Sequence, residues 1–146
     1  MRVSVIGSGT VDQEITGVAE SVGRRLGERG HTVVCGGLGG VMAAACRGAA
    51  AAGGHTIGIL PGENRGAANP HVETAIATGL GNARNVLVVL NGDAVVAVSG
   101  STGTLSEIGY ALDLGRPVAG LDTHDVEGVE AVDSPRAAVD FVETAA

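Results

Sequence analysis

"RNVLVVLNGDAVVAV", residues 84–98, is the stretch whose reading decides the fold. Asn91-Gly92 between two β-branched runs is a strong type I′ turn signal, which reads as a β-hairpin and an antiparallel pair. The alternative is a buried helix over residues 84–90 followed by a strand over 94–98, in a parallel sheet. Periodicity does not separate the two in a wholly apolar run. Local rules leave the choice open.

The surrounding chain alternates strand-length apolar runs with longer helical segments. "RVSVI" (2–6) leads through a glycine turn into residues 12–29, where Ile15, Val18, Ala19, Val22 and Leu26 fall at helical spacing before Gly30. "HTVVC" (31–35) and "GGLGG" precede an alanine-rich helix over 41–52, ended by Gly53-Gly54. "TIGIL" (56–60) is a further strand, followed by a turn-rich stretch over 61–70 and a short extended piece over 72–77. After "AVVAV" (94–98) come a glycine loop and a helix over 104–114, then the strand "RPVAGL" (116–121). Residues 122–146 are expected to add an edge strand and a covering helix through Ala137, Ala138, Phe141 and Val142. This alternation predicts a single α/β domain over residues 1–146, with a three-layer, Rossmann-like, doubly wound and mostly parallel sheet.

Composition bounds the chemistry. The chain is 45% hydrophobic but 1% aromatic, Tyr110 and Phe141 being its only rings, so Val, Ile, Leu and Ala must build the core. Small aliphatic side chains bury less area each, at about 25 cal/mol per Å², so a homodimer or higher homo-oligomer is expected to supply further burial. The net charge is −7, and every basic residue is arginine. Without lysine there is no Schiff base to pyridoxal phosphate and no lysine-bearing P-loop. The acidic, lysine-free composition is that of a salt-adapted proteome or a high-GC genome. It argues against nucleic acid as a partner.

Cys35 and Cys46 lie in apolar runs and read as buried free thiols. His31, His55, His71 and His124 are scattered without ligand spacing, so no metal site is expected. The first residues lack a signal-peptide pattern, and no apolar run reaches the length of a membrane span. A cytoplasmic protein without a membrane partner is the expectation.

Three glycine loops follow strands and open helices: "GSGT" with Gly7, Ser8 and Gly9; "GGLGGVM" with Gly36, Gly37, Gly39, Gly40 and Met42; and "SGSTGT" with Gly100, Ser101, Thr102, Gly103 and Thr104. Backbone N–H groups and the positive end of a helix dipole meet in such loops, and anions bind there. Right-handed crossovers put all three on the carboxyl edge of one sheet. A dinucleotide is disfavoured, because the last glycine of GxGxxG is Asp12 and the second strand ends in Cys35 where a ribose-binding acid is wanted. A mononucleotide or another phosphorylated small molecule remains. Thr104 and Glu107 have the spacing of a capping box, in which Glu107 only secures a helix start. The other reading is a working carboxylate beside a phosphate loop. Arg84, an isolated cation in neutral surroundings, is its candidate partner or else a surface arginine.

With these loops in view, the chain resembles the LOG-like Rossmann-type proteins, which carry the label "possible lysine decarboxylases". "GGLGGVM" (36–42), "GNARNVLVV" (81–89) and "SGSTGTLSE" (99–107) match that family's GGxxGxM loop, Arg-bearing helix and PGGxGTxxE loop in order and spacing. "GILPGENRGAANP" and "GTLSEIGYALDLGRPVAGL" are similar to a short branch that includes molybdenum-cofactor carrier proteins. The resemblance implies a helix around Arg84, a strand after Asp93, and a carrier or sensor for a nucleoside monophosphate or a pterin-type molybdenum cofactor. In phosphoribohydrolase members the matching Arg and Glu cleave an N-glycosidic bond, which implies catalytic roles for Arg84 and Glu107 if this chain is an enzyme. Ser99 and Ser101 stand where that motif has Pro and Gly, Ser106 replaces a usual Glu, and Asn85 replaces a usual Lys. Binding is therefore expected ahead of catalysis. The decarboxylase label fails for want of a lysine.

Overall fold

The computed structural model describes all residues, 1–146. The deciding stretch is a helix and a strand: α3 spans Asn85–Leu90 and β5 spans Ala94–Val98. The turn signal at Asn91-Gly92 ends a helix instead of joining two strands. Asn91 donates its side-chain amide back to Leu87 O at 2.8 Å, and the Gly92 N–H reaches Val89 O. A Cβ at Gly92 would stand 2.2 Å from Ser4 Oγ, so the glycine is required by close approach to the first strand.

The remaining strands are β1 (Arg2–Gly7), β2 (Thr32–Cys35), β3 (Thr56–Leu60), β4 (Thr74–Ala77), β6 (Val118–Leu121) and β7 (Val129–Ala131). The remaining helices are α1 (Gln13–Glu28), α2 (Val41–Ala51), α4 (Thr102–Asp113) and α5 (Pro135–Ala145). The sheet runs β4-β3-β2-β1-β5-β6-β7, and every pairing is parallel. The expected edge strand and covering helix near the C-terminus are β7 and α5.

The order reverses between β1 and β5. The chain walks outward from β1 to β4, returns through α3, and pairs β5 on the other side of β1, with Val3 beside Ala94 and Gly7 beside Val98. Ligands of doubly wound sheets bind in the crevice that such a reversal opens at the carboxyl ends of the strands. Here that crevice is walled by the loops after β1 and β5.

The two faces of the sheet are unequally covered. Val3, Val5, Val33 and Val96 pack under α1, α2 and α5, whereas Ile6, Val34, Ile59 and Val95 pack under only α3 and α4. Both cores are aliphatic, as the composition requires. On the first face α1 and α2 meet backbone to backbone: a Cβ at Gly23 would lie 1.9 Å from Ala45 O, and one at Gly48 2.0 Å from Glu20 O. These helix-interior glycines set how closely the two helices approach.

Candidate functional site

The three loops share the carboxyl edge of the sheet, but the helices they open are not equivalent. Asp12 caps α1, accepting the Ile15 N–H at 2.9 Å, so a carboxylate already occupies that positive end. At α2 the cap is Gly40, with φ of 62° and no side-chain acceptor. At α4 the cap is Ser101, also without a side-chain bond. The amides of residues 100–104 have no acceptor in the protein, and neither do those of Leu38, Gly39, Gly40, Met42 and Ala43. Unpaired amides and the positive end of a helix dipole thus meet at two uncapped helix starts on this edge.

This corrects the capping-box reading of Thr104 and Glu107. The helix begins two residues earlier than the sequence pattern indicates, because Ser99 at φ 52° and Gly100 at φ 121° turn the chain sharply off β5. Thr104 and Glu107 therefore lie inside the helix, and both are buried. Ser99 is a non-glycine residue in the left-handed region, a conformation that costs of order 1–3 kcal/mol and clusters at functional sites. Two side chains from the segment after β6 secure it. Thr123 Oγ1 donates to Ser99 O at 2.6 Å, and His124 Nε2 meets Ser101 O at 2.9 Å.

The loop after β2 touches the loop after β1. Val41 N–H donates to Ser8 O at 3.0 Å, and a Cβ at Gly40 would lie 2.2 Å from that same oxygen. Asn69 braces this loop from outside, its side chain donating to Leu38 O at 2.9 Å while its own N–H reaches Gly37 O. A Cβ at Gly7 would strike Val98 O at 2.4 Å, so β1 and β5 close against each other at the crevice floor.

Arg84 is no surface arginine. It is 8% exposed, at the end of a 3-10 turn over Gly81–Arg84. Its Nε donates to Ile59 O at 2.9 Å, one terminal nitrogen to Gly36 O at 3.3 Å, and the other to Asn85 Oδ1. The sequence names Arg84, the Gly36 loop and Glu107 separately, and the fold brings them together. Glu107, 7% exposed, feels the Arg84 charge but makes no hydrogen bond in the protein. Burial pushes its carboxyl up to about 7, against the pull of Arg84. A buried carboxyl poised near neutrality beside a cation is a group that can hold or move a proton, or receive hydrogen bonds from a ligand.

Beside the start of α4 lies a polar hollow of about 430 Å³, lined by Asn82, Asn85, Thr102, Gly103, Ser106 and Tyr110. A second, of about 360 Å³, opens between Gly9, Thr10, Gly40 and Arg47. The site also holds members that motif reading passed over. Asn69, Thr123 and His124 brace the loops through main-chain carbonyls, and only the Asn-Pro turn signal at residues 69–70 hinted at any of them.

Sheet order and loops together define a Rossmann-like α/β protein whose three glycine loops share one carboxyl edge. The chain belongs to the SLOG cluster4 family, whose model matches residues 1–146. An uncharacterised protein of Archaeoglobus fulgidus is 42% identical over 142 residues, covering 97% of this chain and 93% of that one. Among solved structures, the molybdenum cofactor binding protein of Rippkaea orientalis superposes with a TM-score of 0.92 at 34% identity, covering 98% of this chain and 95% of that chain. The molybdenum cofactor carrier protein of Chlamydomonas reinhardtii superposes with a TM-score of 0.87 at 30% identity, covering 99% and 96%. No helix is long and apolar enough to cross a membrane.

Proposed function

We propose that this protein binds and carries a phosphorylated small molecule, a pterin-type molybdenum cofactor or a nucleoside monophosphate, on the carboxyl edge of its sheet. The observation that supports this most is the run of unpaired amides over residues 100–104, beside the reversal of strand order. The phosphate sits on Gly100, Ser101, Thr102, Gly103 and Thr104. Gly7, Ser8, Gly9, Gly36, Gly37, Gly39, Gly40 and Met42 form the facing wall. Likeness to a molybdenum cofactor binding protein and a carrier protein favours cargo of that kind.

A second reading, hydrolysis of the N-glycosidic bond of a nucleoside 5′-monophosphate, is favoured by one specific observation. Glu107 combines a carboxyl near 7 with Arg84 at its side, and that is suited to proton transfer or to steadying an oxocarbenium-like ribosyl centre. The experiment that separates the readings is incubation with AMP and an isoprenylated AMP. Release of free base that vanishes in Glu107→Gln favours the hydrolase. A rise in melting temperature with AMP or a pterin phosphate, and no base released, favours the carrier. A protein whose melting temperature responds to none of them, and which releases no base, refutes both.

The homo-oligomer expected from composition has a natural surface. Leu90 at the end of α3 and Leu105, Tyr110 and Leu114 on or just after α4 are between 38% and 45% exposed, as is Ile76, the β4 partner of Ile59 on the face that these two helices cover. A second copy seated there completes the thin layer. Sedimentation velocity tests this: Leu105→Glu with Tyr110→Glu reduces the assembly to a monomer, and an unchanged sedimentation coefficient refutes it.

A further inference from the structure

Cys35, the last residue of β2, and Cys46, on α2, bring their Sγ atoms to 3.4 Å, with both thiols free and neither exposed. No ligand chemistry above uses them. Two features separate this pair from cysteines that merely fill a core. Cys35 Sγ accepts the Gly37 N–H at 3.3 Å, a main-chain donor held on this sulfur by the turn out of β2. The Cys46 hydrogen bond draws the Cys35 thiol down, the Gly37 amide and Arg84 adding to it against burial and the Glu107 charge, while the same bond and burial push Cys46 up against a contact from the Asn69 side chain. Cys35, with a main-chain amide on its sulfur and a second thiol 3.4 Å away, has the arrangement of an attacking sulfur beside a resolving one.

Both cysteines are closed off from solvent in the resting fold. Leu38, Met42 and Val72 are the apolar side chains packed on the pair, and Leu38 and Val72 are themselves half-buried. Leu38 belongs to the glycine loop, so peroxide reaches the sulfurs only when residues 36–40 move aside.

We infer that Cys35 and Cys46 are a peroxide-oxidisable dithiol that closes to an intramolecular disulfide beneath the loop of residues 36–40. The Cys35 thiolate attacks one oxygen of hydrogen peroxide; a sulfur–oxygen bond forms, the oxygen–oxygen bond breaks, and the departing hydroxide takes a proton from solvent to become water. Cys46 then attacks the Cys35 sulfur; the sulfur–sulfur bond forms, the sulfur–oxygen bond breaks, and the leaving hydroxide carries off the Cys46 proton as a second water. Two thiols and one peroxide become one disulfide and two waters. The sulfurs must approach by about 1.4 Å to reach disulfide bonding distance. Closing the disulfide moves the sulfur that the Gly37 N–H contacts, and so ties the redox state of the pair to the loop of residues 36–40.

The test uses the folded full chain. Hydrogen peroxide is added, the reaction is quenched in denaturant with an alkylating reagent, and the intact mass is read. The expected result is a product lighter by two hydrogens that takes up no alkyl group and regains two alkylation sites after a dithiol reductant. In Cys46→Ser the disulfide is absent, and a sulfenic acid at Cys35 is trapped by a dimedone-type reagent included in the denaturing quench. The wild-type measurement stands even if that variant folds poorly. The inference is overturned if the folded wild type keeps two alkylatable thiols at a peroxide exposure that fully oxidises the urea-unfolded chain, or if it forms only disulfides between chains.

Discussion

Replacing Glu107 by Gln is the most revealing single change, because the carboxyl is kept at a cost that can be measured. Its folded-state value is near 7, against an ordinary 4.5 in the unfolded chain, with burial as the cause. A raised value means that the folded protein holds the proton more tightly. The associated stability is fully present below about pH 4.5 and is lost as pH rises through 7. At 1.36 kcal/mol for each tenfold difference in proton affinity, the loss is roughly 3 kcal/mol. The attraction of Arg84 is already contained in that figure, since it opposes the burial. Glutamine keeps the shape and removes the charge. The variant should match the wild type near pH 3.5, exceed it by about 1 kcal/mol at pH 5 and by roughly 3 kcal/mol at pH 8.5, the last a rise of roughly 6–12 °C in melting temperature for a chain of this size. Urea and thermal unfolding of both proteins at matched pH values measure this, and the histidines cancel in the comparison. A difference that stays flat between pH 5 and 8.5 refutes the claim that Glu107 is an unpaired buried carboxyl.

Arg84→Met should lower stability by about 3 kcal/mol, because it leaves the carbonyls of Ile59 and Gly36 without a donor. It should also carry the pH midpoint of the Glu107 effect upward, which the same unfolding series reads. Gly103→Leu should fold normally, since a Cβ there meets only Asn85 Nδ2 at 3.9 Å. It should nonetheless abolish any melting shift produced by AMP or a pterin phosphate, by covering the amides at the start of α4; a retained shift means that the phosphate sits elsewhere. Gly48→Ala forces a Cβ to 2.0 Å from Glu20 O and should cost about 3 kcal/mol or more in denaturant unfolding. Gly17→Ala, on the open side of α1, meets nothing within 4 Å and should be neutral or stabilising by up to about 1 kcal/mol.

What could be read in advance follows from how local each cause is. The strands, the glycine loops and their common edge are written in short-range periodicity and turn chemistry, and they stand where the pattern puts them. The start of α4 was misread, because T-x-x-E at Thr104 and Glu107 imitates a capping box. The true boundary depends on the left-handed turn at Ser99, which Thr123 and His124 hold from a distant segment. Asn91-Gly92 carries the local signature of a hairpin, yet the sheet needs its glycine for contact with Ser4. The interlocked Gly23 and Gly48 look like weak helix residues until both helices are seen together. The meeting of Cys35, Arg84 and Glu107 joins three separate elements, and no spacing rule reaches that far.

The central pairing of β1 with β5 bears on how the protein is made. β1 is made well before its partner, which begins only at Ala94. Until then β1 pairs on one side alone, and its other edge is an unsatisfied ladder. Loop-closure entropy must be met before this contact yields anything, which makes the step slow. The wall of the crevice that carries the unpaired amides is completed by that same pairing. Chains that stop short of Val98 therefore lack the start of α4 and its free amides, and until β5 arrives the open edge of β1 is exposed to pairing with other chains.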